Sequence, residues 1–424
     1  MKTDLQGNAE KQTDAGEFNT RSILTIIGSA LSAFCTVGFL NAFGVLLDWY
    51  HRHELSDHSE FDISWIGSFT TFALFLTAIP AGLLADRVRP TILLIVGGIV
   101  TLFSMFMISL SKEYYQFFLA QGFLLGVGHA FFTFPVITVV SLHFNKNRGL
   151  ATGFTISGSS LGGVIWPIVL DQLLNSDGVG FSWTIRIVTF TMLPLVVISC
   201  ATVLPPAKNK ATNEEGASTT AGEKDQTKKK TDLSIIKNPV FITFCTGLGI
   251  YYLGMFTPFF FVTSYAVSID MSTGFAFYLV SILNGASLFG RISAGFFADR
   301  YGYFNLCSLA ALASALITFC WTGADSSAGL VVWSSAYGFA SGSILSLQVA
   351  CATKLATPQT YGTAVGMTMG IVSLTGLFGS PISGELIKYS YLALSMYAGA
   401  VLAVGGILIC FTRLQLSRKL LHIV

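Results

Sequence analysis

Within residues 284–302, NGASLFGRISAGFFADRYG, one arginine, Arg291, stands in an otherwise uncharged run that closes on Asp299 and Arg300. A guanidinium presents fixed donors in a planar fork, the geometry that takes a carboxylate in two parallel hydrogen bonds. The competing use of the same fork is structural: it pairs with backbone carbonyls or packs at a helix interface. Other chemistry-bearing side chains share such apolar settings. His129, in GVGHAFFTFP, carries an imidazole that titrates near neutral pH and can relay a proton, or it is a hydrogen-bonded structural histidine. The amides of Asn41 and Asn284 can orient a polar ligand or bond a neighbouring helix. Tyr251, Tyr252, Phe259 and Gln348 either line a cavity or pack. The histidines of WYHRHELSDHSEFD (His51, His53, His58) fit no zinc spacing, so no metal is expected, and the segment reads as a solvated loop.

The elements that must hold these residues follow from composition. Of 424 residues, 52% are hydrophobic and 11% charged, and mean hydropathy is +0.66. That balance excludes a soluble domain and indicates a polytopic membrane protein surrounded by lipid. A net charge of +2 offers no basic face for nucleic acid, and none is expected as a partner. Residues 1–20 are polar with both signs and lack the apolar core of a signal peptide, so the first span itself directs insertion. The cysteines all fall in apolar runs without CxxC spacing and read as reduced packing residues.

A bilayer core needs ~20 apolar residues as a helix. Twelve such runs occur: 22–47, 63–84, 90–111, 115–144, 149–170, 183–204, 239–267, 272–298, 303–321, 326–352, 361–387 and 389–411. Between the sixth and seventh lies a Lys-, Glu- and Thr-rich stretch that cannot bury an apolar face. The expected organisation is a tail (1–21), a six-helix bundle (22–204), a disordered linker (205–237), a second bundle (238–411) and a tail (412–424). The lysines 228–230 read as part of a solvated loop. With both termini on one side, 19 of the 24 Lys and Arg fall on that side and only Arg52, Lys112, Arg186 and Lys388 opposite. The positive-inside rule makes that side cytoplasmic.

An internal repeat links the halves. The second span ends GLLADRVRP and the eighth GFFADRYGY, so Gly82, Asp86 and Arg87 match Gly295, Asp299 and Arg300 in spacing. A repeat at the same place in each half argues for parallel pseudo-symmetric halves with a site between them near the midplane. The glycines permit close helix approach, and an aspartate at the membrane edge can meet an arginine or the positive end of a helix.

Two copies of Gly-x-x-x-Asp-Arg in a six-plus-six chain resemble the loop signature of the major facilitator superfamily. The stretches GFLNAFGVLLDWY, SWIGSF, NRGLATGFTISGSSLGGVIWP, NGASLFGRISAGFFADRYG and GSPISGELI are similar to the monocarboxylate-porter branch in its fungal form. The resemblance implies an all-α integral membrane fold of 12 transmembrane helices in two six-helix bundles, and a carrier that exposes one central site alternately to either side. It gives Arg291 the role of binding a substrate carboxylate and makes the repeated Gly-Asp-Arg residues a gating motif. Two positions depart: Ser287 replaces an aspartate one turn before the arginine, and Val45 replaces a lysine used in proton coupling. The coupling chemistry of that branch therefore lacks both partners. Gly153, Gly158, Gly162 and Gly163, with Gly376, Gly379 and Gly384, read as helix-contact glycines. Pro167 comes too late to complete the helix-five pattern associated with antiporters.

The expected function is secondary active transport of a small organic solute, acidic or amphipathic, by a monomer in the cell membrane. The apolar, aromatic, Ser/Gly-rich spans lean to efflux of a fungal secondary metabolite; the alternative is proton-linked uptake of a monocarboxylate or vitamin-like nutrient. No GxxxxGK[ST] loop occurs, so uphill movement draws on an ion or proton gradient without a cofactor. A nutrient sensor would carry a long extension beyond residue 411, and an enzyme would need catalytic pairs that the sequence lacks.

Overall fold

The computed structural model describes residues 17–176, 179–206 and 234–418. Most of the expected tail 1–21 and linker 205–237, with its lysines 228–230, lies outside the described residues, as do 419–424. A bilayer core offers no water to peptide groups, so spanning segments must satisfy their backbone internally as helices. The chain does so in α1 (Thr20–Glu54), α2 (Glu60–Ala85), α3 (Pro90–Ile108), α4 (Tyr114–His143), α5 (Arg148–Asn175) and α6 (Phe181–Thr202). The second half repeats the set: α7 (Pro239–Ser268), α8 (Thr273–Tyr301), α9 (Tyr303–Phe319), α10 (Ser327–Lys354), α11 (Tyr361–Ile387) and α12 (Tyr391–Leu416). Among the described residues, 11 helices are long and apolar enough to cross a membrane, and α9, at 17 residues, is the shorter twelfth. Such a helix is about 26 Å long at 1.5 Å per residue, close to the hydrocarbon thickness.

Packing within the halves is pseudo-symmetric. In the first, α1 packs on α5 and α6, α3 on α4 and α6, and α2 on α4; in the second, α7 packs on α11 and α12, α9 on α10 and α12, and α8 on α10. Between the halves the main contacts are α2 against α11 and α5 against α8. Large apolar side chains such as Ile99, Phe289, Leu316 and Val332 stay exposed on the outer faces, as a lipid-facing surface requires.

Two spans that read as continuous in the sequence are interrupted. In α1 the helix breaks at Thr36 and again around Asn41 and Ala42, giving segments Thr20–Cys35, Val37–Leu40 and Phe43–Trp49. The Thr36 hydroxyl donates back to the Ser32 carbonyl at 2.8 Å, a bond that bends helices. In α7 the break falls at Phe256, between Pro239–Met255 and Thr257–Ser268, where Pro258 has no N–H to give to the preceding turn. The two halves thus break their first helix near the middle.

The expected loop after the first span is shorter than it reads. Residues Tyr50–Glu54 continue α1 as a wide π-turn, and the Tyr50 hydroxyl donates to Gln121 Oε1 at 2.6 Å. His53 stacks on Trp49 at 3.8 Å, whereas His58 lies 5.0 Å from the Tyr114 ring. At the other end of the linker, Ser234–Lys237 form a 3-10 turn whose Ile235 packs with Phe241, Cys245 and Ala364. The cysteines are free; Cys35, Cys245, Cys307 and Cys351 are buried, but Cys320 is exposed.

Candidate functional site

At the end that carries the described terminal segments, two carboxylates join the halves. Asp86, closing α2, accepts from the Gly362 amide (2.9 Å), the Thr363 amide (2.7 Å) and the Thr363 hydroxyl (2.6 Å) at the start of α11. Asp299, near the end of α8, accepts from the Gly149 amide (2.8 Å), the Leu150 amide (2.9 Å) and the Tyr303 hydroxyl (2.6 Å). The first N–H groups of a helix have no intrahelical acceptor and carry its positive pole, so each aspartate neutralises a helix end. The glycines are a steric condition for this. A Cβ on Gly82 would fall on the Gly362 carbonyl oxygen, and one on Gly295 on the Gly149 carbonyl oxygen. Arg87 and Arg300 are exposed, Arg300 lying 4.5 Å over the Phe296 ring.

From this end a polar seam runs along α5 and α8 to mid-span. The backbone of Arg291 lies against Gly153, whose Cβ, if present, would meet the Arg291 carbonyl oxygen at 2.5 Å. The Arg291 guanidinium crosses to α5, where Nη1 donates to the Ile156 carbonyl at 2.7 Å and to the Ser159 hydroxyl. It is buried, its Nε has no hydrogen-bond partner, and no carboxylate among the described residues pairs with it. One turn on, the Ser287 hydroxyl meets that of Ser160 at 3.4 Å, a neutral contact where the resembled carriers have an aspartate. The last contact is Gly163 against Asn41 and Asn284. A Cβ on Gly44, Gly285 or Gly376, by contrast, would meet nothing within 4 Å among the described residues.

Two six-helix halves joined at one end by paired helix contacts agree with what comparison with known proteins gives. The family model for the Major Facilitator Superfamily matches residues 29–380. The chain belongs to that superfamily. Among curated proteins it is 47% identical to the agnestins efflux protein AgnL12 of Paecilomyces divaricatus, over 96% of this chain and 90% of that one. It is 38% identical to the aspyridones efflux protein apdF of Emericella nidulans, over 92% of this chain and 77% of the other. Among solved structures, the major facilitator FucP superposes with a TM-score of 0.68 at 15% identity, covering 92% of this chain and 98% of FucP, which shows the shared fold.

In this major facilitator fold the remaining candidates separate. Tyr252 belongs to the seam: its hydroxyl accepts from Gln348 Nε2 at 2.8 Å, and its ring meets Phe75 of the other half at 6.3 Å edge-on. The Gln348 Oε1 is buried without a partner. Tyr251 is fully buried, its backbone and Cβ lie against Gly405 of α12, and its hydroxyl has no hydrogen-bond partner among the described residues, so it serves the core of its own bundle. Phe259 packs against Phe256 and Tyr337 at 6.2 Å each, within the second half. His129 is fully buried in α4, and neither ring nitrogen has a hydrogen-bond partner among the described residues.

Three contacts escaped the sequence. Arg148 reaches across the halves, donating from Nη2 to the Tyr361 hydroxyl at 2.7 Å with its guanidinium 4.8 Å over that ring. The Glu17 carboxylate accepts from the amides of Asn145 (3.0 Å), Lys146 (2.9 Å) and Asn147 (3.2 Å), which pins the loop before α5. Ser159 completes the Arg291 site. An Arg-Gly pair at a helix start is a visible signal for the first; nothing local signals the others.

Proposed function

We propose that this transporter exports a small organic solute, acidic or amphipathic and of the secondary-metabolite kind, from a fungal cell, as a member of the monocarboxylate-porter branch. The efflux proteins named above, similar along nearly the whole chain, support this reading, as does a sequence without an ATP-binding loop. The positive-inside bias supports a cytoplasmic position for the end closed by Asp86 and Asp299. The clamped end is then the one sealed to the cytoplasm.

The observation that carries the proposal is the engagement of Arg291 by α5. A guanidinium buried without a counter-ion costs several kcal/mol, offset in part by charge-assisted hydrogen bonds. With the cytoplasmic end clamped, its Nη1 is occupied by the Ile156 carbonyl and the Ser159 hydroxyl, so a solute anion meets a competitor there and is held weakly. Parting α5 from α8 to open the cytoplasmic end frees the fork, and affinity for the anion rises on the side where an exporter must load. Asn41, Asn284, Tyr252 and Gln348 contact the solute, while Tyr251 and Phe259 shape the second bundle behind them. His129, a buried imidazole with two unpartnered nitrogens, handles the proton if a proton gradient drives the cycle.

Deleting the gene and profiling metabolites inside and outside the cells tests this. Retention of one metabolite inside the deletion strain is the expected result. Unchanged export with lost growth on a particular acid would replace efflux by uptake.

A further inference from the structure

The seam ends on two amides that converge on one glycine. A Cβ on Gly163 would lie 2.8 Å from Asn41 Nδ2 and 2.9 Å from Asn284 Oδ1, so both amides crowd the face of α5 that the missing side chain leaves bare. Asn284 is fully buried and its orientation is fixed, because Nδ2 donates to the Val280 carbonyl at 3.1 Å and only the amide nitrogen can do that. Its Oδ1, turned to Gly163, has no hydrogen-bond partner among the described residues. Asn41 sits at the break in α1 and is partly exposed, with open space beside Gly44 one turn on. Pro167 has no N–H to give to the Gly163 carbonyl, which leaves that acceptor without its usual helical donor. Buried polar atoms in native folds are nearly all paired, and irregular backbone at membrane depth is confined to protein interiors and cavities, so unpaired groups gathered at a helix break mark a place for a ligand.

We propose that Asn41, Asn284 and Gly163 form a subsite for one neutral hydroxyl of the transported solute, a phenol or enol O–H. The hydroxyl donates to Asn284 Oδ1 and accepts from Asn41 Nδ2, using both capacities of the group at once. The two asparagines come from opposite halves, so the hydroxyl bridges the bundles. Gly163 is the specificity-determining residue, since any side chain there displaces both amides. Asn284 and Arg291 lie seven positions apart on α8, about 10 Å along the axis. The solute class that satisfies both sites is an elongated, planar organic anion with its hydroxyl at the end remote from the charge.

This inference rests on the organic-anion reading of Arg291, and the test separates the two. Binding of 6-hydroxy-2-naphthoate, 6-methoxy-2-naphthoate and 2-naphthoate to the full-length protein in lipid nanodiscs would be measured by fluorescence titration. The hydroxyl compound should bind about tenfold more tightly than the other two, the factor one hydrogen bond supplies. That preference should vanish in Gly163→Ala and in Asn284→Leu, both checked for an unchanged elution profile. Equal binding of all three compounds to the wild type overturns the subsite. If Arg291→Ala then abolishes that common binding, the anion reading stands without the subsite; if none of the three binds, both fall. The comparison of hydroxyl with methoxy compound on the wild type remains decisive even where a variant misfolds.

Discussion

Asp86 and Gly362 are 276 residues apart in the chain and joined by a 2.9 Å hydrogen bond from backbone amide to carboxylate. Asp299 and Gly149 repeat the relationship at 2.8 Å, with the roles of the halves exchanged. Closure of this end therefore depends on two equivalent clamps, each a carboxylate set on the first turn of a helix from the opposite half. Hydrogen bonds to a charged acceptor are worth about 1.5–3 kcal/mol.

Asp86→Ala should destabilise the closed end by roughly 2–3 kcal/mol, shifting the equilibrium between its closed and open forms about 30- to 150-fold. In a cysteine-free background, Ser346→Cys, buried beside the Arg291 backbone, should become reactive to an impermeant maleimide from the side of the termini. Asp299→Ala should act alike. Labelling that stays at the wild-type rate would remove the clamp from the account.

Gly82→Val and Gly376→Ala should differ sharply. The first drives a side chain into the Gly362 carbonyl and should abolish transport while each half still packs; the second adds a methyl where nothing lies within 4 Å. Transport by Gly376→Ala should stay within about twofold of wild type, since a free helix surface tolerates alanine. Equal effects of the two substitutions would contradict the packing of α2 on α11.

Tyr252→Phe removes the acceptor for Gln348 Nε2 and leaves a second unpaired amide atom beside the Oε1 that already lacks a partner. Stability should fall by about 1–2 kcal/mol, read as a lower melting temperature in detergent. The double variant Tyr252→Phe/Gln348→Leu should recover most of it, because an apolar pair leaves no polar group stranded. A double variant weaker than the single one would show that the pair does more than satisfy itself.

His129→Leu should leave membrane abundance unchanged or raised, because it replaces by an apolar side chain a fully buried imidazole with no hydrogen-bond partner among the described residues. Export by this variant should lose most of its dependence on external pH. A wild-type pH profile would take His129 out of proton handling.

Much of this fold was legible because the bilayer makes sequence speak plainly. Apolar length marked the spans, and the repeated Gly-x-x-x-Asp-Arg marked the pseudo-symmetry; of the two options open to its aspartate, the coordinates give it a helix end. The breaks in α1 and α7 were only partly legible: Pro258 withholds an N–H just after Phe256, yet Pro80 and Pro167 sit inside continuous helices, so proline alone does not say where the backbone yields. The candidate site was half legible. Charge in an apolar run singled out Arg291, but its partner is the carbonyl of Ile156, and a backbone atom 135 residues away leaves no trace in composition. For Tyr251 and Tyr252 the one-residue difference in position turns the side chains toward different helices, and the sequence held no reason to choose between them.

The most direct test of the central claim uses the deletion strain and the metabolite it retains. Complementation with Arg291→Ala and Arg291→Lys would be compared with wild type for export of that metabolite, with each protein quantified in the membrane. Arg291→Ala should export less than about 1% of the wild-type amount, and Arg291→Lys, a point charge without the planar fork, an intermediate fraction. Full export by Arg291→Ala would contradict a solute anion carried on Arg291.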